Sequence, residues 1–319
     1  MDKPGTMVLV FGHEALVDLI PREGSAYEAV LGGSPFNTAV GLGRLGIATG
    51  YTGRLSTDTM GDAFVARLAD SGIDMRFVAR SPASSPLAFV TRGTAVTGAR
   101  YSFYLKSTAY DTPSTLPLDW PEHAAHLHIG SFSTIDGALG EAALAGLAAA
   151  GSRATTSFDP NIRPFVVPPR EETVRLVEDR VRLATVVKAS EEDFDWLYPG
   201  TRPADAAGRW AGMGPQMVVM TKGGGGAEAY FGGERLTQAA PAIEVVDTVG
   251  AGDSFMAALL AAMAESDALG AGRAGVPSER QVADWLMVAI AAAAITCTRP
   301  GADPPTRAEL DKVLGRGDA

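Results

Sequence analysis

The residues best suited to chemistry stand in one run, Asp247-Thr248-Val249-Gly250-Ala251-Gly252-Asp253-Ser254-Phe255. Residues 242–246 lead into it and read as a strand, and a helix carrying Phe255, Leu259, Leu260 and Met263 on one side leads out. Gly250 and Gly252 let the backbone turn sharply and approach a ligand with no Cβ in the way. The amides of Gly250, Ala251 and Gly252 then point out of a helix N-terminus, an anion site that could stabilise charge on a transferring phosphoryl group. Asp253 falls in the first helical turn, where the helix dipole keeps it ionised and able to accept a proton. An anion hole beside a carboxylate base is what phosphoryl transfer requires. An Asp that only caps the helix is the plainer alternative.

Four other positions could handle a polyol or an anion. Asn37 follows the diglycine Gly32-Gly33 at a helix start; its amide could both donate to and accept from paired hydroxyls, with Gly33 permitting close approach, or it could simply cap the helix. Asp18, in Glu14-Ala15-Leu16-Val17-Asp18-Leu19-Ile20-Pro21, offers a carboxylate able to accept two hydroxyl bonds. Arg163 leaves the strand 155–158 in Asp159-Pro160-Asn161-Ile162-Arg163-Pro164, at the end where α/β sheets place ligands. It could clamp a phosphate or carboxylate, or bridge to Asp159 on the surface. The glycine run Thr221-Lys222-Gly223-Gly224-Gly225-Gly226 follows a strand, but no Gly-Lys-Ser/Thr closes it, so it is not a Walker loop.

The elements that must position these residues alternate. Strands at Met7–Phe11, 126–130, 155–158, 185–188 and 217–220 are separated by helical patterns, among them one from Pro35 to Gly46 and one carrying Met60, Phe64 and Leu68. This rhythm predicts an α/β fold with a central, mostly parallel sheet flanked by helices, the 319 residues forming one domain. Two β-rich insertions, 13–32 and 87–110, break the rhythm and are expected to form a small β-sheet lid that excludes water; an extension of the main sheet edge is the alternative.

A net charge of −10 disfavours nucleic acid and anionic membranes as partners. Cys297 is the single cysteine, which excludes an internal disulfide and fits a cytoplasmic setting. No signal peptide is evident, and the Ala-rich stretch 288–295 is too short to span a bilayer. His123, His126 and His128 lack the further ligands of a zinc site. The tryptophans 120, 196, 210 and 285 read as packing residues, and 170–182 as a solvated helix face.

Two long stretches resemble the signatures of the ribokinase-type (PfkB) carbohydrate kinases: Gly32-Gly33-Ser34-Pro35-Phe36-Asn37-Thr38-Ala39-Val40-Gly41-Leu42-Gly43-Arg44-Leu45-Gly46 and the run 247–255. The resemblance covers nearly the whole chain. It implies a ribokinase-like fold and an ATP- and Mg²⁺-dependent sugar kinase, with Asp253 as catalytic base, Gly250, Ala251 and Gly252 as anion hole, and Asp18, Gly33, Asn37 and Arg163 on the sugar. Lys188, Ser190, Thr221, Gly223, Gly226 and Thr248 are implied on the ATP side. Where such kinases commonly carry Asn and, three residues on, Glu, this chain has Ser190 and Asp193. Asp193 is then expected to reach Mg²⁺ through water, although the pair also reads as a capping box. By the same resemblance Asp247, the Val249 carbonyl and carbonyls near 296–301 are candidates for K⁺. The segments around Asp18 and Arg163 are similar to fructokinases, and Leu105 stands where acid-sugar kinases usually place Arg, so D-fructose is the expected substrate and fructose 6-phosphate the product. A 2-keto-3-deoxygluconate kinase using Arg100 or Lys106, a nucleoside kinase and a non-catalytic sugar sensor are the rivals. The lid is also where a homodimer would form.

Overall fold

A computed structural model of the chain describes residues 7–91, 100–111, 124–151, 153–273 and 275–316. Trp120, His123, the tip 92–99 of the second insertion and the side chain of Arg100 lie outside the described residues.

The chain enters through β1 (Met7–Phe11) and the antiparallel pair β2 (Leu16–Pro21) and β3 (Tyr27–Gly32), then α1 (Ser34–Arg44). β4 (Thr49–Thr52), β5 (Arg54–Ser56), α2 (Thr59–Asp70), β6 (Ala79–Ser81), β7 (Leu87–Thr91) and β8 (Arg100–Tyr104) follow. A regular alternation comes next: β9 (Ala124–Gly130), α3 (Gly137–Ala150), β10 (Thr155–Asp159), α4 (Arg170–Val181), β11 (Val186–Ser190), α5 (Glu191–Leu197), α6 (Pro203–Ala211) and β12 (Met217–Thr221). The hairpin β13 (Ala227–Phe231) and β14 (Glu234–Gln238) precedes α7 (Ala251–Glu265), α8 (Glu279–Cys297) and α9 (Arg307–Val313).

Eight strands form one sheet in the order β14-β13-β12-β11-β10-β9-β1-β4. In that order β4 to β12 pair in parallel, and β13 pairs antiparallel with both β12 and β14. The expected α/β architecture is thus observed. β1 is buried at all five positions, as a strand covered on both faces must be. Val8 and Val10 enter the core shared with α1, α2, α7 and α8, while Leu9 and Phe11 enter the one shared with α3 to α6. Trp210 and Trp285 anchor one core each. Among the described residues α8 is the one helix long and apolar enough to cross a membrane; here its apolar face packs on α7, with Trp285, Leu286 and Ala289 buried.

The two insertions meet in a separate four-stranded sheet, β3-β2-β7-β8, rather than extending the edge of the large one. Asp18 pairs with Ala88, and Ala88 with Phe103, so the pleat puts all three on one face.

Two sequence expectations need correction. Residues 242–246 form no strand: Val246 N–H bonds the Cys297 carbonyl at 2.8 Å, and Val245 and Val246 are exposed. The edge such a strand would need is already β14, whose hairpin was not anticipated. Gly232 and Gly233 both take positive φ (55° and 84°), the requirement of a two-residue turn that matches strand twist. The helix face 170–182 is not wholly solvated, since Arg180 of α4 is buried. It donates to the carbonyls of Thr134, Leu176 and Gly140, each at 2.6 Å, and so ties α4 to the start of α3.

Candidate active site

Two helix N-termini face one cavity of ≈ 290 Å³. The first belongs to α1. Gly33 precedes it with φ 109°, and a Cβ there would fall 1.4 Å from the Glu14 carbonyl oxygen, so the turn admits only glycine. Asn37 is not a cap. Its N–H bonds Gly33 O inside the helix, and its side-chain Nδ2 donates to Asp253 Oδ2 at 2.8 Å.

The second terminus is that of α7. Gly250, with φ 74°, is its N-cap residue and lies against Ala302. Asp253 is buried in the first turn and lines the cavity. One member of the expected trio of free amides changes: Ala251 N–H turns back to Thr248 O at 3.3 Å, and among the described residues it is the N–H groups of Gly250, Gly252 and Asp253 that have no protein acceptor. Gly250, Gly252 and Thr248 line the cavity; Ala251 does not.

Lys188, in the middle of β11, brings its ammonium to the same place: a Cβ on Gly252 would stand 3.0 Å from Nζ. The lysine is buried and paired with buried Asp159 at 2.8 Å. Burial alone would depress the ammonium, but the Asp159 carboxylate outweighs it and holds Lys188 above its ordinary pKa. Asp159 is therefore not the partner of Arg163. That arginine instead folds onto its own loop, Nη1 donating to Asn161 Oδ1 at 2.8 Å and Ile162 O at 3.0 Å. It lines the cavity with Asp18, whose carboxyl burial pushes up to about 7 against the opposing charge of Arg163. The inner face of the small sheet supplies one wall through Leu16, Asp18, Tyr101 and Phe103.

Of the predicted residues, Asp18, Gly33, Asn37, Arg163, Lys188, Thr248, Gly250, Gly252 and Asp253 are thus gathered in one cavity. Ser190 and Asp193 line a neighbouring one, which shares Arg163. They form the capping box of α5, Asp193 accepting from Ser190 N–H and from Ser190 Oγ at 2.8 Å each, and from Ile162 N–H at 2.8 Å. Three of its four acceptor sites are taken, which leaves room for contact through a water and little else. Glu192 is exposed in the same cavity. Thr221 pairs in register with Ser190 at the strand ends, and the loop after it closes with Lys222 N–H to Gly226 O at 2.8 Å. Gly223 and Gly226 therefore lie at the same sheet edge, outside the main cavity. Asp247 clamps backbone: Oδ1 accepts from Val249 N–H at 3.0 Å and Oδ2 from Gly301 N–H at 2.9 Å.

Sequence reasoning missed Glu14. Glu14 is a buried carboxyl lining the cavity, and burial pushes it up to about 8. The signal was available: a Glu three residues beyond the wholly buried β1, at the sheet end where α/β folds place ligands. His126 and His128 are no metal site. They join Thr155 and Ser157 in a buried chain of 2.8 Å hydrogen bonds, held well below the usual histidine range by burial. Among the described residues no cluster of metal-ligating side chains occurs.

The description "pfkB family carbohydrate kinase" matches this chain over residues 6–309. The chain belongs to that family. A fructokinase of Rhizobium leguminosarum bv. trifolii is 36% identical to this kinase over 264 residues, 81% of this chain and 79% of its own length. Among solved structures, a fructokinase from Xylella fastidiosa with bound ATP superposes with TM-score 0.85 at 25% identity, covering 98% of both chains. An aminoimidazole riboside kinase from Salmonella enterica, complexed with aminoimidazole riboside and an ATP analogue, gives TM-score 0.80 at 25% identity, over 97% of this chain and 99% of its own.

Proposed function

We propose that this carbohydrate kinase transfers the γ-phosphoryl group of ATP to the terminal hydroxymethyl of a neutral ketose, D-fructose foremost. The observation that carries the reading is the single cavity in which the Asp253 carboxylate, oriented by Asn37, adjoins unpaired amides and the Lys188 ammonium. Asp253 takes the proton of the sugar hydroxyl; that oxygen forms a bond to the γ-phosphorus as the bond to the ADP oxygen breaks. The amides of Gly250, Gly252 and Asp253, with Lys188, take up the charge on the moving group. Asp18, Gly33, Asn37 and Arg163 hold the sugar.

The residues suit the nucleotide and its ions. Unpaired amides beside a Cβ-free turn cradle phosphate, with Thr248 in the same cavity and Ser190, Thr221, Gly223 and Gly226 along the adjoining strand ends. Asp193 would meet Mg²⁺ through water, and the loop that Asp247 clamps to Gly301 would offer its carbonyls to K⁺. Bound Mg²⁺ would neutralise phosphate charge.

A neutral substrate is favoured because Arg163, the arginine that lines the cavity, has its Nη1 spent on its own loop. Lys106 is exposed and does not reach the cavity. In a thermal-shift comparison, fructose is expected to raise Tm. A response to adenosine alone would point to a nucleoside kinase, and one to 2-keto-3-deoxygluconate alone to an acid-sugar kinase. We further propose a cytoplasmic enzyme that pairs as a homodimer through the outer face of the small sheet. There Tyr27, Phe89 and Tyr104 meet edge to face, with Tyr27 52% and Tyr104 59% exposed. Light scattering should find a dimer that Tyr104→Lys splits; a monomeric parent protein would refute the pairing.

A further inference from the structure

We propose that Asp303 is a positioning residue of this kinase: by drawing Arg44, Arg67 and Arg299 onto one carboxylate, it holds the loop 299–304 against the Gly250 turn and so aims the amides that meet the phosphoryl group. The inference rests on the phosphoryl-transfer reading of the cavity and adds to it a residue that lies outside that cavity.

Asp303 ties three elements together. Its Oδ1 accepts from Arg44 Nη1, in the last turn of α1, at 2.6 Å and from Arg67 Nη2, in the last turn of α2, at 3.1 Å. Its Oδ2 stands 3.1 Å from Nη1 of Arg299, just past the end of α8, and that arginine also donates to Glu309 of α9 at 3.1 Å. Arg44 donates to the Pro304 carbonyl as well, so α1 grips the loop at two successive residues. The other side of the loop meets the catalytic turn. Gly301 N–H donates to Asp247 Oδ2 at 2.9 Å, and a Cβ on Gly250 would fall 2.5 Å from the Cβ of Ala302. Pro304 packs on α1, its Cβ 3.6 Å from where a Cβ on Gly41 would stand. α1 in turn carries Asn37, which donates to Asp253. One loop therefore backs both the turn that presents the amides and the helix that orients the base.

Part-exposed ion pairs of this kind contribute little to stability one by one. Their convergence is what matters here. Arg44 and Arg67 share a single oxygen, so without the carboxylate their guanidinium groups face each other and Arg299 uncompensated, and the repulsion pushes α1, α2 and the loop apart. Ala302 then no longer backs Gly250. A misplacement of about 1 Å can cost on the order of 100-fold in rate, because the amides work only when aimed at the charge that develops on the moving group. Sugar binding is spared, since Asp18 and Arg163 come from β2 and from the segment after β10.

The test is steady-state kinetics with D-fructose and ATP, run well below each variant's Tm so that only folded enzyme is counted, with sugar binding measured by calorimetry without nucleotide. Asp303→Ala should lower kcat about 30-fold while the sugar Kd changes less than about threefold. Asp303→Asn keeps one acceptor without the charge and should lose about fivefold; it carries the test if the alanine variant does not fold. The double variant Asp303→Ala/Arg67→Ala removes part of the repulsion and should recover several-fold of the kcat lost by the single one. A brace that served the fold alone would lower Tm and leave kcat of the folded enzyme unchanged. That result, a sugar Kd that weakens in step with kcat, or a double variant no faster than Asp303→Ala would overturn the assignment. A parent enzyme that phosphorylates no ketose, aldose or keto acid would instead refute the reading on which the assignment stands.

Discussion

Asp253→Asn should lower kcat about 10⁴-fold while the sugar Kd, measured without nucleotide, changes by less than threefold. The asymmetry follows from the geometry. Asn37 Nδ2 donates to Asp253 Oδ2 at 2.8 Å, and the amide oxygen of an introduced asparagine can accept the same bond. The α1–α7 junction and the sugar contacts therefore persist; what disappears is the carboxylate beside the unpaired amides that we propose takes the hydroxyl proton. A sugar sensor would make the opposite prediction, since its binding would be the whole function and no turnover would exist to lose. Turnover that survives the substitution undiminished would remove Asp253 from the chemistry.

Lys188→Met should cost stability as well as activity. Lys188 and Asp159 form a buried pair 2.8 Å apart, and removing one member strands the other charge in the interior, at about 3–5 kcal/mol. Stability in the variant should also depend on pH. Asp159 is already raised from 3.8 to about 6, first by burial and with Lys188 opposing, and without the lysine it rises further. A raised acid is neutral in the folded protein, so its contribution is complete below the unfolded value and is lost as pH climbs through the folded one. Urea unfolding of Lys188→Met should accordingly show a deficit that grows from about pH 4 and continues past pH 6, levelling off only once pH exceeds the higher folded value that Asp159 takes without the lysine. The double variant Lys188→Met/Asp159→Leu should regain most of the stability, because it removes the stranded charge. It should remain poorly active, because the ammonium beside Gly252 is still missing. Recovery of activity together with stability would show that the lysine serves the fold alone.

How far the sequence foretold this site depended on how local each residue's task is. The turns at Gly33 and Gly250 were legible because their chemistry is local: a positive φ and a missing Cβ leave a glycine signature. The parallel sheet was legible from buried runs alternating with helical periodicity. Asn37 was harder, since a cap and a ligand contact look alike in one dimension; only the approach of α1 to α7 shows that its amide serves Asp253. Residues 242–246 misled because β-branched side chains favour extended backbone whether or not an edge is free to pair. Arg180 misled in the opposite sense, as a charge in an acidic-basic run that the fold spends on three carbonyls. Glu14 stood at the head of the segment 14–21 and three residues beyond β1, but its burial depends on the fold closing around it, which that segment does not encode.

The most direct test of the whole account is ³¹P NMR of the purified protein with ATP, Mg²⁺ and D-fructose. Growth of a phosphomonoester signal on the terminal hydroxymethyl, matched by ADP, is the predicted result. ATP left intact with fructose and with every other sugar tried, or converted only to ADP and free phosphate, would contradict it.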